Sequence, residues 1–455
     1  MRKLNLILSV ALLSLCAVAA GAADKSAEST TEVKQHLENH FKFYGFIRNY
    51  FTYDSRENVS GTGDLFNYIP RDQKLNADGE DLNAQSSFRF LALTSRVGVD
   101  VSGYYIGNVH LGAKVEADFY SGLSKASSNV GLPTATSVTG TAALRLRQAY
   151  ATITWKDLPM SGDSKASVGL KIGQAWHPMG ADHPQVFSLE VAAPFAPFSR
   201  TPLVQMDANL GSNWVITGAA LWQQQYTSNG PSGSVADYMK YSGIPEFYAG
   251  VTYKNGGFLG RVGVDVLSIK PRVQGQNSAG VTVKVSDRIT TASPFMYLQY
   301  TKNLFTLKAK TIYATAGEHI GIMSGYAKIG ENEDGSWNYA PLRNSSSWLC
   351  LSYGKKWQGV LLLGYAKNFG LADGASDHPV TAGNIYFNKN GFANLNQIYR
   401  INPEVVYNFG KLTVGLEYQY TAVQYGETFN NKGLATENLH WVANNRVQSI
   451  VRFNF

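Results

Sequence analysis

Charged side chains at alternate positions are the residues of this sequence whose types and spacing could do chemistry. In 109–119, the polar residues His110, Lys114, Glu116 and Asp118 alternate with apolar ones. Successive side chains of a β-strand point to opposite faces, so such a stretch has one charged face and one apolar face. Charged groups that line a pore discriminate between ions by their sign. The pattern therefore favours selection of solutes over catalysis.

Sequence motifs of enzyme active sites do not occur in the chain. A nucleophile elbow, a zinc-protease helix motif, a phosphate-binding loop and a paired-cysteine motif are all missing. His177 and His183, with Asp182 between them, could suggest a metal site, but no further ligand accompanies them in a Pro-rich stretch. The acidic residues of 331–334 are interpreted as a solvated turn rather than a calcium site. We expect no enzyme activity, no cofactor and no metal site.

The elements that must position the charged residues are strands. Alternation recurs in sixteen segments between residue 41 and the C-terminus, and short turns and long loops connect these segments in strict alternation. The long loops are 55–86, 121–141, 177–200, 227–245, 272–286, 318–345, 370–396 and 427–444. Short turns at one rim and long loops at the other are how outer-membrane barrels are built. We predict an all-β fold, a transmembrane antiparallel β-barrel of about 16 strands.

The composition favours a barrel over a helical membrane protein. Hydrophobic residues make up 44% of the chain, charged residues 16% and aromatic residues 12%. Beyond the N-terminal segment no run of about 20 apolar residues occurs, as a transmembrane helix would require. The net charge of +7 is scattered without a basic block, which argues against nucleic acid as a partner.

The sequence divides into three parts. Residues 1–23 have the charged start, apolar centre and small-residue end of a signal peptide. Residues 24–40 form a short polar segment, helical or disordered, which we expect in the periplasm. Residues 41–455 are the predicted barrel, and its last strand ends on the aromatic Phe455. This organisation predicts the outer membrane of a Gram-negative bacterium, with the lipid bilayer and lipopolysaccharide as neighbours.

Strand parity assigns a mixed but mainly basic set of side chains to the inner face, because a charge facing lipid would cost about 2–4 kcal/mol. The set on the first five strands comprises Arg48, Arg96, Lys114, Glu116, Asp118, Arg145, Arg147 and Lys171. Its basic members either form a ladder that sets the selectivity of a pore or pair with the two carboxylates. The sequence leaves both alternatives open.

The third long loop, 177–200, differs from an exposed polar loop. It is apolar and rich in proline, so we expect it to fold into the lumen and narrow the channel. In that position Asp182 and Glu190 would face the basic wall and create a transverse field, with Arg200 at the end of the loop.

Two short motifs resemble a known family. Residues 147–150, Arg-Gln-Ala-Tyr, and residues 171–176, Lys-Ile-Gly-Gln-Ala-Trp, resemble strands of DcaP-like and related trimeric porins. The resemblance implies a sixteen-stranded homotrimer with loop three as the constriction. It also implies a preference for small anions such as dicarboxylates, at the positions Arg145, Arg147, Lys171 and Arg200.

Together these observations favour a porin, a water-filled channel for passive diffusion of small hydrophilic solutes. A preference for anions is an open extension of this interpretation. The alternative is a substrate-specific channel for dicarboxylates or saccharides. A barrel enzyme or an adhesin is less favoured, because no catalytic pair is evident and only the long loops could bind partners.

Overall fold

The structure is a computed structural model that describes residues 40–120, 143–160, 164–387 and 392–455. The signal peptide 1–23 and the segment 24–39 lie outside the described residues and stay predictions. The main sheet contains nineteen hydrogen-bonded segments. Two of them lie in long loops and two are halves of one strand, so sixteen antiparallel strands close into a barrel. The predicted all-β barrel is confirmed.

The barrel strands are labelled β1 to β16 in chain order. They are β1 (Phe41–Asp54), β2 (Ser87–Leu91 and Arg96–Ile106), β3 (Val109–Tyr120), β4 (Ala143–Pro159), β5 (Lys165–Trp176), β6 (Arg200–Leu210), β7 (Trp214–Leu221), β8 (Glu246–Asn255), β9 (Phe258–Ile269), β10 (Ile289–Lys302), β11 (Phe305–Ala314), β12 (Trp337–Gly354), β13 (Trp357–Gly370), β14 (Leu395–Phe409), β15 (Leu412–Phe429) and β16 (Ala435–Asn454). One short helix, α1 (Asp237–Lys240), lies in the loop before β8.

The first and last strands close the barrel. β1 pairs antiparallel with β16, from Phe46 opposite Asn454 to Asp54 opposite Arg446. Beyond this ladder the amide of Phe455 donates to the carbonyl of Gly45 at 3.0 Å. Closure leaves no unpaired strand edge in lipid, where an unsatisfied backbone group would be costly.

The barrel is polar inside and apolar outside, the reverse of a soluble protein. On β3, Val115 and Phe119 are exposed, whereas Glu116 and Asp118 between them are buried. The same parity leaves large apolar side chains exposed around the whole barrel. An apolar surface of this extent needs lipid as its solvent, so the chain is a transmembrane β-barrel. Among the described residues, no helix has the length and apolar character needed to cross a membrane.

Loop 3 (177–199) lies inside the barrel, as the sequence predicts. It runs along the inner wall from β8 to β16, where wall side chains bind its backbone. Lys308 on β11 donates to the carbonyl of His183 at 3.0 Å, and Glu404 on β14 accepts from the amide of Phe187 at 2.9 Å. These bonds replace the water that an exposed loop would use, so an apolar loop can occupy a polar lumen.

Loop 1 (55–86) also folds inward, which the sequence did not indicate. It forms a hairpin of Asn58–Gly61 and Phe66–Pro70. Arg446 on β16 donates to the carbonyl of Asp64 at 2.7 Å and so ties the hairpin to the wall.

The eighth loop differs from its prediction. β15 and β16 continue to pair past the membrane, to Phe429 opposite Ala435, and only 430–434 connects them. The predicted loop 427–444 is wrong, because polar residues that protrude into water can extend a hairpin as readily as they form a loop.

Candidate functional site

Six guanidinium groups lie together on the inner wall. Together we name them the arginine belt: Arg48 on β1, Arg96 on β2, Arg145 and Arg147 on β4, Arg200 on β6 and Arg452 on β16. Strand parity predicts an inward direction for five of them, and Arg200 is expected at the end of the third long loop. The structure brings all six into one cluster around two aromatic rings and two carboxylates.

The ring of Phe46 on β1 is the first centre of the arginine belt. The guanidinium carbons of Arg48, Arg96 and Arg452 lie 4.9, 5.0 and 5.8 Å from the centre of that ring. Strand register produces the arrangement, since Arg48 lies opposite Arg452 and Phe46 lies opposite Arg96. The electron-rich ring face partly offsets the repulsion between the three cations. Sequence reasoning missed Phe46, which reads as an ordinary strand aromatic.

Two carboxylates on β3 neutralise part of the belt. Asp118 accepts two hydrogen bonds from Arg145 at 2.9 Å each and one from Arg147 at 2.7 Å. Glu116 accepts from Arg147 at 2.7 Å and lies 3.5 Å from Arg96. Within the described chain, no carboxylate lies within 4.0 Å of Arg48, Arg200 or Arg452. The structure therefore combines the two sequence alternatives, with three arginines paired and three not.

The indole of Trp176 is the second centre of the belt. The guanidinium of Arg200 lies 4.8 Å from this ring and that of Arg147 lies 5.8 Å from it. Arg200 is only 2% exposed, and its Nη1 has no hydrogen-bond partner in the part of the chain that the structure describes. Buried donors are normally satisfied, so this nitrogen can donate a hydrogen bond to an anionic or water oxygen in the lumen.

Two cavities adjoin the belt. The first, of about 410 Å³, is lined by Arg145, Arg147 and Arg200 together with residues of loops 1, 3, 4 and 6. The second, of about 440 Å³, meets β4 closer to its short turn, at Tyr150. The belt arginines Arg145, Arg147 and Arg200 line the first cavity, and Trp176 lines the second, which follows the wall from β4 to β9.

Lys114 and Lys171 lie outside the belt. Lys114 forms an ion pair with Asp100 at 2.6 Å, and the ammonium of Lys171 lies 5.5 Å from the ring of Tyr150, beside the second cavity. The predicted ladder from Lys171 to Arg96 is therefore not one continuous row of cations.

Asp182 and Glu190 of loop 3 do not face the basic wall. Asp182 accepts from Arg261 on β9 at 2.5 Å, and Glu190 is fully buried and accepts from Gln419 on β15 at 2.6 Å. Arg400 approaches Glu190 to 3.5 Å. The predicted transverse field from these two carboxylates is wrong, because partners on the wall behind loop 3 neutralise both.

A buried histidine cluster anchors the start of loop 3. Nε2 of His177 lies 2.8 Å from Glu246 on β8 and 3.6 Å from Asp265 on β9, and Nε2 of His319 in loop 6 lies 2.9 Å from Glu246. His177, Glu246 and Asp265 have the residue types of metal ligands. However, Nδ1 of His177 accepts the amide of Met179 at 3.2 Å, so Nε2 carries the proton and donates to Glu246.

In this tautomer, His177 is hydrogen-bonded to Glu246, so the cluster links loops 3 and 6 to the barrel wall. Sequence spacing could not indicate it, because His177 and Glu246 are 69 positions apart. His183, its predicted neighbour, instead packs 4.5 Å from the ring of Trp176. Burial among cations lowers the pKa of His183 to about 3, so this ring is neutral at physiological pH.

Comparisons with known proteins give a fold and no sequence relative. No protein-family model matches the chain, and no curated protein matches it in sequence. The outer membrane channel DcaP of Acinetobacter baumannii is similar in structure, with a TM-score of 0.59 and 15% identity over 91% of this chain and 97% of that one.

Two further structures align with the same share of the chain but have lower TM-scores. The anion-selective porin from Comamonas acidovorans has a TM-score of 0.49 and 11% identity over 91% of this chain and 99% of that one. OmpT of Vibrio cholerae in its trimer form has a TM-score of 0.48 and 12% identity over 91% and 99%. The chain is thus a sixteen-stranded transmembrane β-barrel that shares the fold of the outer membrane channel DcaP.

Proposed function

We propose that this protein is a porin, a passive channel for small hydrophilic solutes across the outer membrane of a Gram-negative bacterium. Its polar lumen, into which loops 1 and 3 fold and where two cavities adjoin the arginine belt, is the observation that carries the proposal. Buried charges without a partner destabilise a fold. A barrel that served only to anchor its loops would be more stable without them, so their presence favours a role in the passage of solutes.

Anion preference follows from the balance of charge at the arginine belt. The belt contributes six guanidinium groups against the two carboxylates Glu116 and Asp118. Glu318 in loop 6 lines the first cavity and adds a third carboxyl, and burial raises the pKa of that group. The surplus stays positive even with Glu318 ionised, and a positive ring admits anions more readily than cations.

The lining of the first cavity favours carboxylates over saccharides. Arg200 and Arg147 stand beside the apolar side chains of Phe66, Leu189 and Phe198. A short dicarboxylate can place its charges on the guanidinium groups and its carbon chain on this apolar surface. Aromatic rings such as Phe66 and Phe198 also stack on sugar rings, so the proposed preference for carboxylates rests on the guanidinium groups.

Planar-bilayer recording of the refolded protein tests the channel. Stable conductance steps are expected, and in a potassium chloride gradient the reversal potential should have the sign of an anion-preferring pore. Swelling of proteoliposomes should be faster in a dicarboxylate than in a neutral sugar of similar size. An absence of conductance steps would refute the channel, and a cation-preferring potential would refute the anion preference alone.

A homotrimer is the assembly that the sequence resemblance implies, and we include it in the proposal. Slower migration of unboiled protein on a denaturing gel, together with a cross-linked species of three chains, is the expected result. A cross-linking ladder that stops at one chain would contradict it.

A further inference from the structure

The short-turn rim of the barrel carries a set of exposed lysines that the proposed channel does not use. The set, named the lysine rim here, comprises Lys156, Lys254, Lys302, Lys355, Lys356 and Lys411. All six are exposed, and none has an ion-pair partner among the described residues. In the described short turns, Asp157 is the one carboxylate, and it pairs with Lys165 at 2.9 Å. The long-loop rim instead mixes acidic and basic residues.

A repeated hydrogen-bond device holds the backbone of this rim. The amide of Lys156 donates to the carbonyl of Asn108 at 3.1 Å, and the side chain of Asn108 donates back to the carbonyl of Lys156 at 3.1 Å. Asn213 and Lys254 repeat the same reciprocal pair at 2.8 and 2.6 Å. The lysine backbone is thereby ordered, while each ammonium group stays free for a partner.

The third instance lies at the turn before β13. The amide of Asn408 donates to the carbonyl of Lys356 at 2.8 Å, and its side chain donates to the carbonyl of Lys355 at 2.9 Å. Lys411 lies in the next short turn, which follows β14, the strand that carries Asn408. Three lysines of neighbouring turns therefore lie on one sector of the rim, and the ammonium of Lys356 lies 5.7 Å from the ring of Tyr407.

Large exposed aromatic rings lie beside two of these lysines, Lys356 and Lys254. Trp357 follows Lys356, is 65% exposed and packs 4.6 Å from Tyr407, while Trp214 packs 4.8 Å from Tyr253, which precedes Lys254. Amphipathic rings of this kind sit at the level of lipid headgroups. The lysine rim is therefore at the height of the phosphates of the adjacent leaflet rather than free in bulk water.

We propose that the lysine rim binds the phosphate groups of anionic phospholipids in the periplasmic leaflet, since the short turns of outer-membrane barrels lie on the periplasmic side. Charge complementarity selects the partner, because unpaired ammonium groups held at headgroup depth attract a net-negative headgroup such as phosphatidylglycerol more than a zwitterionic one. The rim thereby orients and anchors the barrel from its short-turn side.

Quenching of tryptophan fluorescence by brominated lipids tests the proposal. The full-length protein is refolded into phosphatidylcholine vesicles that contain brominated phosphatidylglycerol or brominated phosphatidylcholine. Stronger quenching by phosphatidylglycerol is expected at low salt, with the preference declining as salt screens the charges. Equal quenching by the two lipids in the unaltered protein would overturn the proposal.

A triple variant with Lys355→Gln, Lys356→Gln and Lys411→Gln should lower the preference by about fivefold or more, since one surface lysine near anionic lipid is worth about that factor. The matched control changes three exposed lysines of the long-loop rim, Lys74→Gln, Lys240→Gln and Lys284→Gln, and should keep the preference. An equal loss of lipid preference in the control would show that the net charge of the protein causes the preference, and would refute the lysine rim as a binding site. A triple variant that keeps the lipid preference but no longer sediments with peptidoglycan would assign the rim to that polymer instead.

Discussion

Gly415 on β15 leaves the space that the ring of Phe187 in loop 3 occupies. A Cβ atom at position 415 would lie 1.9 Å from Cε2 of Phe187. Gly364 on β13 gives the same room to Phe195, where a Cβ atom would lie 2.5 Å from the ring. The wall behind loop 3 is therefore shaped by two glycines to accept two phenylalanines, and this fit explains how an apolar loop packs tightly inside the barrel.

The substitution Gly415→Ala should destabilise the protein by about 1–3 kcal/mol, because the new methyl group overpacks a filled contact. Urea unfolding of the refolded barrel, followed by tryptophan fluorescence, measures the change. Gly359→Ala on β13 is the matched control, since no atom lies within 4 Å of its Cβ position. Equal midpoints for the two variants would show that Phe187 does not occupy this space.

Deletion of 181–196 should raise the single-channel conductance, because these residues cover the inner wall from β8 to β16 and reduce the open cross-section. Planar-bilayer recording measures the size of the conductance steps. The migration of unboiled protein on a denaturing gel verifies that the barrel has formed. An unchanged step size would place the narrowest point outside loop 3.

Arg200→Gln should lower the ratio of anion to cation permeability severalfold. The change removes a buried cation that has no carboxylate partner and that lines the first cavity. The reversal potential in a salt gradient measures the ratio. Lys165→Gln, which removes an exposed charge at the short-turn rim, should leave the ratio unchanged. A shift of the same size in both variants would indicate that overall charge, not the belt, sets selectivity.

The substitution Arg446→Met should lower the free energy of unfolding by about 3–5 kcal/mol, because it leaves the buried carboxylate of Asp54 without its cation. The two side chains form a bidentate pair on β16 and β1, with both hydrogen bonds at 2.8 Å. The double variant Asp54→Leu with Arg446→Met should recover part of the loss, since both charges are then removed. Urea unfolding of both proteins gives the comparison, and a double variant less stable than the single one would contradict it.

Loop 1 should be held more firmly in mild acid than in alkali through His440. Partial burial lowers the pKa of this imidazole, but hydrogen bonds to the carbonyl of Asn438 and to Asp72 outweigh burial, with Glu427 nearby, so the pKa is raised. The ion pair with Asp72 at 2.6 Å therefore stabilises fully below the unfolded pKa of histidine and is lost as pH rises through the raised value.

Hydrogen exchange in 71–86 measures this dependence. Exchange should accelerate, beyond its intrinsic pH dependence, as the pH rises through the raised pKa of His440. The variant His440→Gln should show no such additional step. A step of equal size in the variant would assign the effect to another group.

Part of the site could be predicted from the sequence because strand parity is local. A period of two decides which side chain faces inward as soon as a strand exists, so Arg48, Arg96 and Arg147 could be assigned to the lumen before any partner was known. The apolar, Pro-rich character of 177–200 likewise predicted an inward loop, since exposed loops of that composition would leave apolar surface in water.

The sequence by itself determined the sixteen-stranded barrel, its inner and outer faces and the inward course of loop 3, since each follows from residue type at short range. The tertiary structure alone decided which charges pair. Glu417 meets the amide of Ser188 across 229 positions, and Glu190 meets Gln419 across the same separation. Such contacts depend on strand register and barrel closure, which bring distant segments together without a trace in their spacing. Between the two alternatives that the sequence left open, a ladder of cations and charges paired with carboxylates, the structure has a belt of six arginines of which three lack a carboxylate partner.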